Sequence, residues 1–294
     1  MAFARLIITT LGFHGHVNNA TAACPVCQPE GRPDQRALNI TRGADGKVLL
    51  HCFKGGCVYR DIAGAVGLHS GAVAAVDPGL TLRREAVQHA ELARMAMLSE
   101  RLWNESLPIG ATPAETYLRG RGITCDLPVT LRFHPECWHG PTARRWPAMI
   151  ARVQGAPGFA VHRTFLRADG TGKAGLWGGD KLLLGRTAGG AVRLAPVSDR
   201  LVVAEGIETA LSLACSLLQG PAMIWAALST SGMIALRLPR QAGRLTIAAD
   251  NDKAGRAATL VLADMAARQG WEVSILTPPK GCDFNDLLRL EVAG

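Results

Sequence analysis

Between residues 201 and 276 the chain carries four short apolar runs, Leu201 to Ala204, Ala222 to Ala227, Leu245 to Ala249 and Glu272 to Leu276. Stretches of helical period separate them at Thr209 to Leu218, Gly232 to Leu238 and Ala254 to Arg268. A strand covered on both faces has no solvent side to alternate toward, so such runs between helices predict a parallel sheet packed on both faces. The last third of the chain is therefore expected to be α/β. Hydrophobic residues make up 48% of the 294, enough for two or three cores, which excludes wholesale disorder. No run of about 18 uncharged apolar residues occurs, and Met1 to Leu11 lacks a small-residue cleavage site. Neither a membrane span nor an export signal is expected.

Ahead of this zone the period changes. Thr112-Pro113-Ala114-Glu115 offers an N-cap, a Pro at the first helical position and a Glu at the third, so a helix is predicted there, ended by Gly120 and Gly122. Val129 to Phe133, Ala148 to Val153 and Phe159 to Leu166 read as strands, the last two joined by a Gly-Ala-Pro-Gly turn. This middle zone is expected to be a mixed, antiparallel subdomain. It also holds the charge. Residues 1–115 carry 11 Lys/Arg against 10 Asp/Glu, residues 116–195 carry 12 against 4, and residues 196–294 carry 9 against 10. The whole formal excess of +8 thus sits in one block, the footprint of a surface that grips a polyanion. Nucleic acid is the leading partner.

The N-terminal zone is marked by cysteines. Two residues separate Cys24 from Cys27, 24 separate Cys27 from Cys52, and four separate Cys52 from Cys57. Between the pairs, Leu38 to Thr41 and Lys47 to Leu50 flank Gly43 to Gly46 as a hairpin. Two close pairs on turns, separated by a hairpin, can converge four thiolates on one tetrahedral Zn²⁺, the competing readings being an iron–sulfur site or reduced structural cysteines. His51 should point away from the face that presents Cys52, and His14 and His16 read as a polar approach to the domain. Cys125, His134, Cys137 and His139 are too loosely spaced for a second metal. Eight cysteines are too few for a disulfide scaffold, and Cys125, Cys137, Cys215 and Cys282 stand singly, so a cytoplasmic location is expected. Asp61 to Val66 reads as a short helix, His69 to Gly79 as a linker, and Leu82 to Trp103 as a bridging helix. The expected organisation is a zinc-binding domain at 1–70, linker and bridging helix at 71–111, a basic subdomain at 112–197 and an α/β domain at 198–294.

In that last zone carboxylates follow the strands. Val203-Ala204 runs into Glu205-Gly206-Ile207-Glu208, Ala248-Ala249 into Asp250-Asn251-Asp252, and the last strand is followed by Asp283-Phe284-Asn285-Asp286. Ligands of open α/β sheets bind at the carboxyl ends of the strands, so these groups are expected to converge. Packed together they would repel unless a cation lay between them, and hard oxygen donors favour Mg²⁺ or Mn²⁺. The competing reading is helix caps and solvated loops.

Val203-Ala204-Glu205-Gly206 with Asp250-Asn251-Asp252-Lys253-Ala254-Gly255 resembles a Toprim domain, the metal-binding α/β unit of bacterial-type primases, some topoisomerases and some nucleases. Cys24-Pro25-Val26-Cys27 with His51-Cys52-Phe53 resembles the zinc-binding domain of bacterial-type DNA primases. Tyr117-Leu118-Arg119-Gly120-Arg121-Gly122-Ile123 resembles the opening of their basic polymerase subdomain. The segments Pro147 to Ile150 and Gly158 to Arg163 are similar to the strand pair that precedes Toprim there. The resemblance spans residues 24 to 290 in the family order. It implies metal ligation by Glu205, Asp250, Asp252 and Asp283, with Asp286 as a further member. It also implies contacts to nucleic acid or nucleotide by Arg119, Arg121, Arg163, Lys173 and Lys181. Two departures stand out: the four-residue gap in the second cysteine pair, and Thr209 where the family has an acidic residue, with Glu208 one place earlier.

The expected function is a DNA primase, an RNA polymerase-type nucleotidyltransferase that makes short primers on single-stranded DNA from nucleoside triphosphates. A monomer is expected, with room for a replicative helicase as partner. The chain ends shortly after the last acidic motif, which fits a compact form carried by plasmids, phages or integrated elements. Other readings are a Toprim nuclease, a topoisomerase, or a non-catalytic single-strand-binding accessory protein. Tyr59 and Tyr117 are the only tyrosines, and neither context suits a topoisomerase nucleophile.

Overall fold

The computed structural model describes residues 14–16, 19–32, 35–42, 48–66, 78–195, 198–218, 220–249, 252–279 and 281–293. The chain divides into two compact units, Met1–Ala90 and Glu91–Gly294.

In the first unit, β1 (His14–His16), β2 (Asn19–Ala22), β3 (Leu38–Arg42) and β4 (Val48–Cys52) form an antiparallel sheet in sequence order. The expected hairpin is β3–β4, with Leu38 opposite Cys52 and Asn39 opposite His51. Its turn, 43–47, lies outside the described residues. His14 and His16 belong to the added strand β1, paired with β2. Helix α1 (Tyr59–Ala65) buries Ile62 and Ala63 against Leu38, Ile40 and Leu50. Most of the expected linker falls at 67–77, outside the described residues. Helix α2 (Pro78–Glu105) starts at Pro78, ahead of the expected Leu82, because Pro is well suited to a first helical turn.

The second unit is built on a ten-stranded sheet. In chain order its elements are β5 (Leu107–Pro108), α3 (Pro113–Gly120), β6 (Leu131–His139), β7 (Arg144–Gln154), β8 (Ala160–Phe165), β9 (Lys181–Leu184) and β10 (Ala191–Arg193). There follow β11 (Arg200–Ala204), α4 (Ile207–Ser212), a π-helical turn Leu213–Leu217, β12 (Met223–Ala226), α5 (Thr230–Ala235), β13 (Arg244–Ala248), α6 (Lys253–Arg268), β14 (Glu272–Leu276) and α7 (Phe284–Ala293). The order β14-β13-β11-β12 is parallel, as the apolar runs require. Strand β10 pairs antiparallel with both β12 and β7, so the sheet continues into the antiparallel strands β7, β6 and β5. Strand β8 also pairs with β7, and β9 with β8.

Both faces of the parallel part are covered. Val202 and Ala204 meet Ile207, Ala210 and Leu211 of α4 and Phe284 and Leu288 of α7. Leu201 and Val203 meet Met233 of α5 and Ala258, Leu262 and Ala266 of α6 on the other face. Strand β14 departs from the expected pattern. It lies at the sheet edge with Glu272, Ser274, Ile275 and Leu276 exposed, which explains its alternating polar residues.

Three further corrections follow from local physics. The helix expected from Thr209 begins at Ile207, because Gly206 already serves as its extended N-cap, and passes into the π-helical turn at Leu213. At α3, Thr112 caps without its side chain. Its hydroxyl donates to the Ile109 carbonyl at 2.6 Å, while the Glu115 carboxylate accepts from the Ala111 N–H at 2.7 Å. Cys125 and Cys215 do not stand singly but form a disulfide, with Cα atoms 5.1 Å apart across 90 residues of sequence. No helix among the described residues is long and apolar enough to cross a membrane.

Candidate metal centre and nucleotide site

In the first unit the ligand atoms of Cys24, Cys27, Cys52 and Cys57 all lie within 4.8 Å of one another. Cys27 and Cys52 sulfurs are 3.5 Å apart, close to the edge of about 3.8 Å that a tetrahedron with Zn–S bonds near 2.3 Å has. The cradle leaves no spare room, for a Cβ at Gly55 would meet Cys27 Sγ and Cys57 Sγ at 3.1 Å. Burial pushes the Cys57 thiol up to about 12, whereas the N–H groups of Gly55, Cys57 and Lys54 bring Cys52 down to about 6 against its own burial. These residues fit one structural Zn²⁺. His51 is exposed with its ring edge-on to Phe53 and is outside the group. Cys52→Ser is expected to lose zinc or bind it far more weakly, since three thiolates cannot close the site. Metal analysis checks this, and full zinc occupancy in the variant would refute the ligand set.

In the second unit the basic block meets the end of the parallel sheet. Glu208, buried on α4 three residues past Glu205, accepts a hydrogen bond from Tyr117 Oη at 2.9 Å and pairs with Lys181 Nζ at 2.9 Å. Burial pushes the Glu208 carboxyl up, but the charge and hydrogen bond of Lys181 more than reverse this and hold it at about 2. Lys173 sits in the same field. Burial first, then the charge of Lys181, keep it below the usual lysine range, with Arg121 acting in the same direction. His162 is pushed down to about 4 by burial and by Lys181, so it is neutral at pH 7. Lys181 and Lys173 thus act on the buried Glu208 carboxylate, with Arg121 and Asp180 in the same field, leaving a net positive site suited to phosphate.

The other expected basic residues are committed differently. Arg119 pairs with Glu115 at 2.9 Å and donates to the Ile123 and Cys125 carbonyls, both at 2.8 Å. Arg163 is buried and donates to the carbonyls of Trp138 and Leu183, each at 3.0 Å. Both stitch backbone segments together.

Glu205 directly follows β11 and is half-buried. Asp252 caps α6, accepting from the Gly255 N–H at 2.6 Å. Asp283 and Asp286 form a reciprocal cap on α7: Asp286 N–H donates to Asp283 Oδ1 at 2.7 Å, and Asp283 N–H to Asp286 Oδ2 at 3.0 Å. Each cap takes one oxygen, so the second oxygen remains chemically able to ligate. Asp250 lies outside the described residues. Among the described residues only the four cysteines form a group of three or more His, Cys, Asp or Glu drawn close enough to share an ion. The described acidic residues have the donor chemistry for Mg²⁺ or Mn²⁺ and do not themselves form such a group.

Sequence reasoning missed the roles of Tyr117, Glu208 and His162. A carboxylate between Ile207 and the apolar positions Ala210 and Leu211 was a usable signal for Glu208, since such a group needs a partner when buried. Leu228 was also unforeseen. It lies two residues past β12 in the left-handed region at φ 74°, with its N–H donating to the Glu205 carbonyl at 2.7 Å. A bulky residue is strained there, as commonly happens beside functional sites.

The fold of residues 198–293 and its acidic strand ends define a Toprim-type α/β domain. Residues 200–293 match the Toprim domain, and residues 93–194 match a domain of unknown function, DUF7146. No curated protein matches the chain. Among solved structures, a DNA primase domain from Pseudomonas aeruginosa is 18% identical with a TM-score of 0.42, over 67% of this chain and 75% of that one. The Aquifex aeolicus primase (zinc-binding and RNA polymerase domains) is 13% identical with a TM-score of 0.43, over 99% of this chain and 80% of that one. The RNA polymerase domain of a Mycobacterium tuberculosis primase is 17% identical with a TM-score of 0.38, over 69% and 82%. At these scores the likeness is distant.

Proposed function

We propose that the protein is a template-directed DNA primase that joins nucleoside triphosphates into short primers on single-stranded DNA. The observation that carries this reading is the Lys181–Glu208 pair, which sets cations of the basic block one helical turn from Glu205 at the carboxyl end of β11. The Toprim match over residues 200–293 supports it. Lys181, Lys173 and Arg121 would bind phosphates of the incoming triphosphate or of the adjoining strand, and the excess positive charge of residues 116–195 would hold template phosphates. Glu205, Asp250, Asp252, Asp283 and Asp286 would supply the carboxylates of a divalent site. A Mg²⁺ or Mn²⁺ bound there would offset the charge that builds at the α-phosphate. A primer 3′-hydroxyl attacks that phosphate and pyrophosphate leaves. The cysteine unit would carry a structural Zn²⁺. A replication role beside a helicase is consistent with this chemistry.

The test is incubation of the zinc-loaded chain with single-stranded DNA, labelled nucleoside triphosphates and Mg²⁺ or Mn²⁺. Short labelled products that require template are expected. Lys181→Ala should lower their yield about 10- to 100-fold, the scale of one charge-assisted hydrogen bond. Strand cleavage without nucleotide incorporation would instead establish a nuclease.

A further inference from the structure

We infer that Trp177 is a stacking platform for an unpaired nucleobase of a single strand, with Lys173, Lys181 and Arg144 placed to take its flanking phosphates. This deepens the proposed function and rests on it for the identity of the strand.

Trp177 is 78% exposed, although an indole left in water forgoes a large favourable burial. Its loop is nevertheless tightly built. Gly179 N–H donates to the Leu176 carbonyl at 3.0 Å, Leu176 N–H to Asp180 Oδ1 at 2.8 Å, and Phe165 N–H to the Asp180 carbonyl at 2.8 Å. Buried His139 anchors the loop from β6. Its Nδ1 accepts from the Thr142 N–H at 3.3 Å, which leaves the proton on Nε2 to donate to the Gly179 carbonyl at 3.0 Å. Gly178, at φ 85°, packs so closely that a Cβ there would run into Pro141. An exposed aromatic on a fixed loop is pre-organised, so a base can stack on it with little ordering cost.

The surrounding charge selects the ligand. Lys173 and Lys181 bracket the loop in sequence, and Lys173 feels the charge of Lys181. Arg144 is exposed opposite His139 on the hairpin whose tip, Pro141, meets Gly178. Of the nearby carboxylates, Asp180 accepts from the Leu176 N–H and Glu208 is shared by Lys181 and Tyr117, so Lys173 and Arg144 supply the excess positive charge. Cations around an exposed indole match a strand that offers alternating phosphates and π-faces. An apolar protein partner would have no use for these cations.

The test measures binding of the zinc-loaded full chain to an oligo(dT) single strand over a range of salt, by anisotropy of a label on the DNA. Trp177→Ala should bind roughly 5- to 100-fold more weakly, the value of one stacked base. The slope of log affinity against log salt should stay unchanged, because stacking releases no counterions. Trp177→Phe should recover most of the affinity. A Lys173→Ala/Lys181→Ala double variant should lower the slope by about 0.7 per lost contact. Gly178→Ala, which keeps the indole but displaces the loop, should also weaken binding. Zinc content and thermal midpoint equal to the parent's confirm that Trp177→Ala is folded. Affinity of folded Trp177→Ala within twofold of the parent overturns the inference, as does failure of the parent to bind the strand. Weaker binding by Trp177→Ala in a protein that makes no primers would sustain the platform and sink the primase reading alone.

Discussion

Asp252→Asn is expected to abolish primer synthesis while leaving the fold intact. Asp252 has two demands on it, a cap on α6 through the Gly255 N–H at 2.6 Å and the proposed share in a divalent metal site. Asn caps a helix about as well as Asp but lacks the charge that a hard cation needs. The substitution therefore separates the two roles. Failure of metal-assisted charge stabilisation in phosphoryl chemistry should cost on the order of 10² to 10⁴-fold in rate, with stability changed by less than about 0.5 kcal/mol. Asp252→Ala should show the same loss of activity and an additional cost of about 1 kcal/mol from the missing cap. Primer synthesis at the parental rate in Asp252→Asn would reduce this carboxylate to a cap.

The second large effect concerns stability. Glu208 is buried, and its carboxyl is held at about 2, below its ordinary value of 4.5. A group whose folded value is depressed stabilises the fold above its unfolded value, and that contribution is lost as pH falls through the folded one. The window here is about pH 4.5 down to 2. A shift of this size corresponds to about 3 kcal/mol, and since the Lys181 side chain is 39% exposed, solvent screening brings the expectation nearer 2 kcal/mol. Glu208→Gln keeps the shape and an acceptor for Tyr117 but removes the charge. It should cost about 2 kcal/mol at pH 7 and flatten the decline of stability below pH 4.5, as read from denaturant midpoints across that range. A variant with the parent's full acid decline would show that other groups carry it. Tyr117→Phe should cost about 1 kcal/mol by removing the hydroxyl donor.

The two halves of the candidate site differed in how plainly they could be read. The cysteine group was legible because each knuckle is local, and the hairpin between them is set by the period of Leu38 to Leu50. The cationic group was legible only as composition. Lys181 and Lys173 were singled out, but Arg163 and Arg119 share their charge and turn inward to backbone carbonyls. Nothing in a residue's type says whether the neighbouring strand will offer it a carbonyl or solvent. For the acidic motifs, the reading as ligands and the reading as caps were both available, and at Asp252, Asp283 and Asp286 the caps are present.

By itself the amino-acid sequence determined the parallel order of strand and helix after residue 200, the antiparallel strands before it, the cysteine knuckles and the location of the positive charge. These are properties of neighbours a few residues apart, written in period, spacing and turn residues. Only the tertiary structure decided that β10 would join the two kinds of sheet, that Cys125 would meet Cys215, and that Glu208 would answer to Tyr117, 91 residues away, and Lys181, 27 residues away. Those pairings depend on which strands lie side by side and in what register, and a buried charge takes whichever partner that order brings within reach.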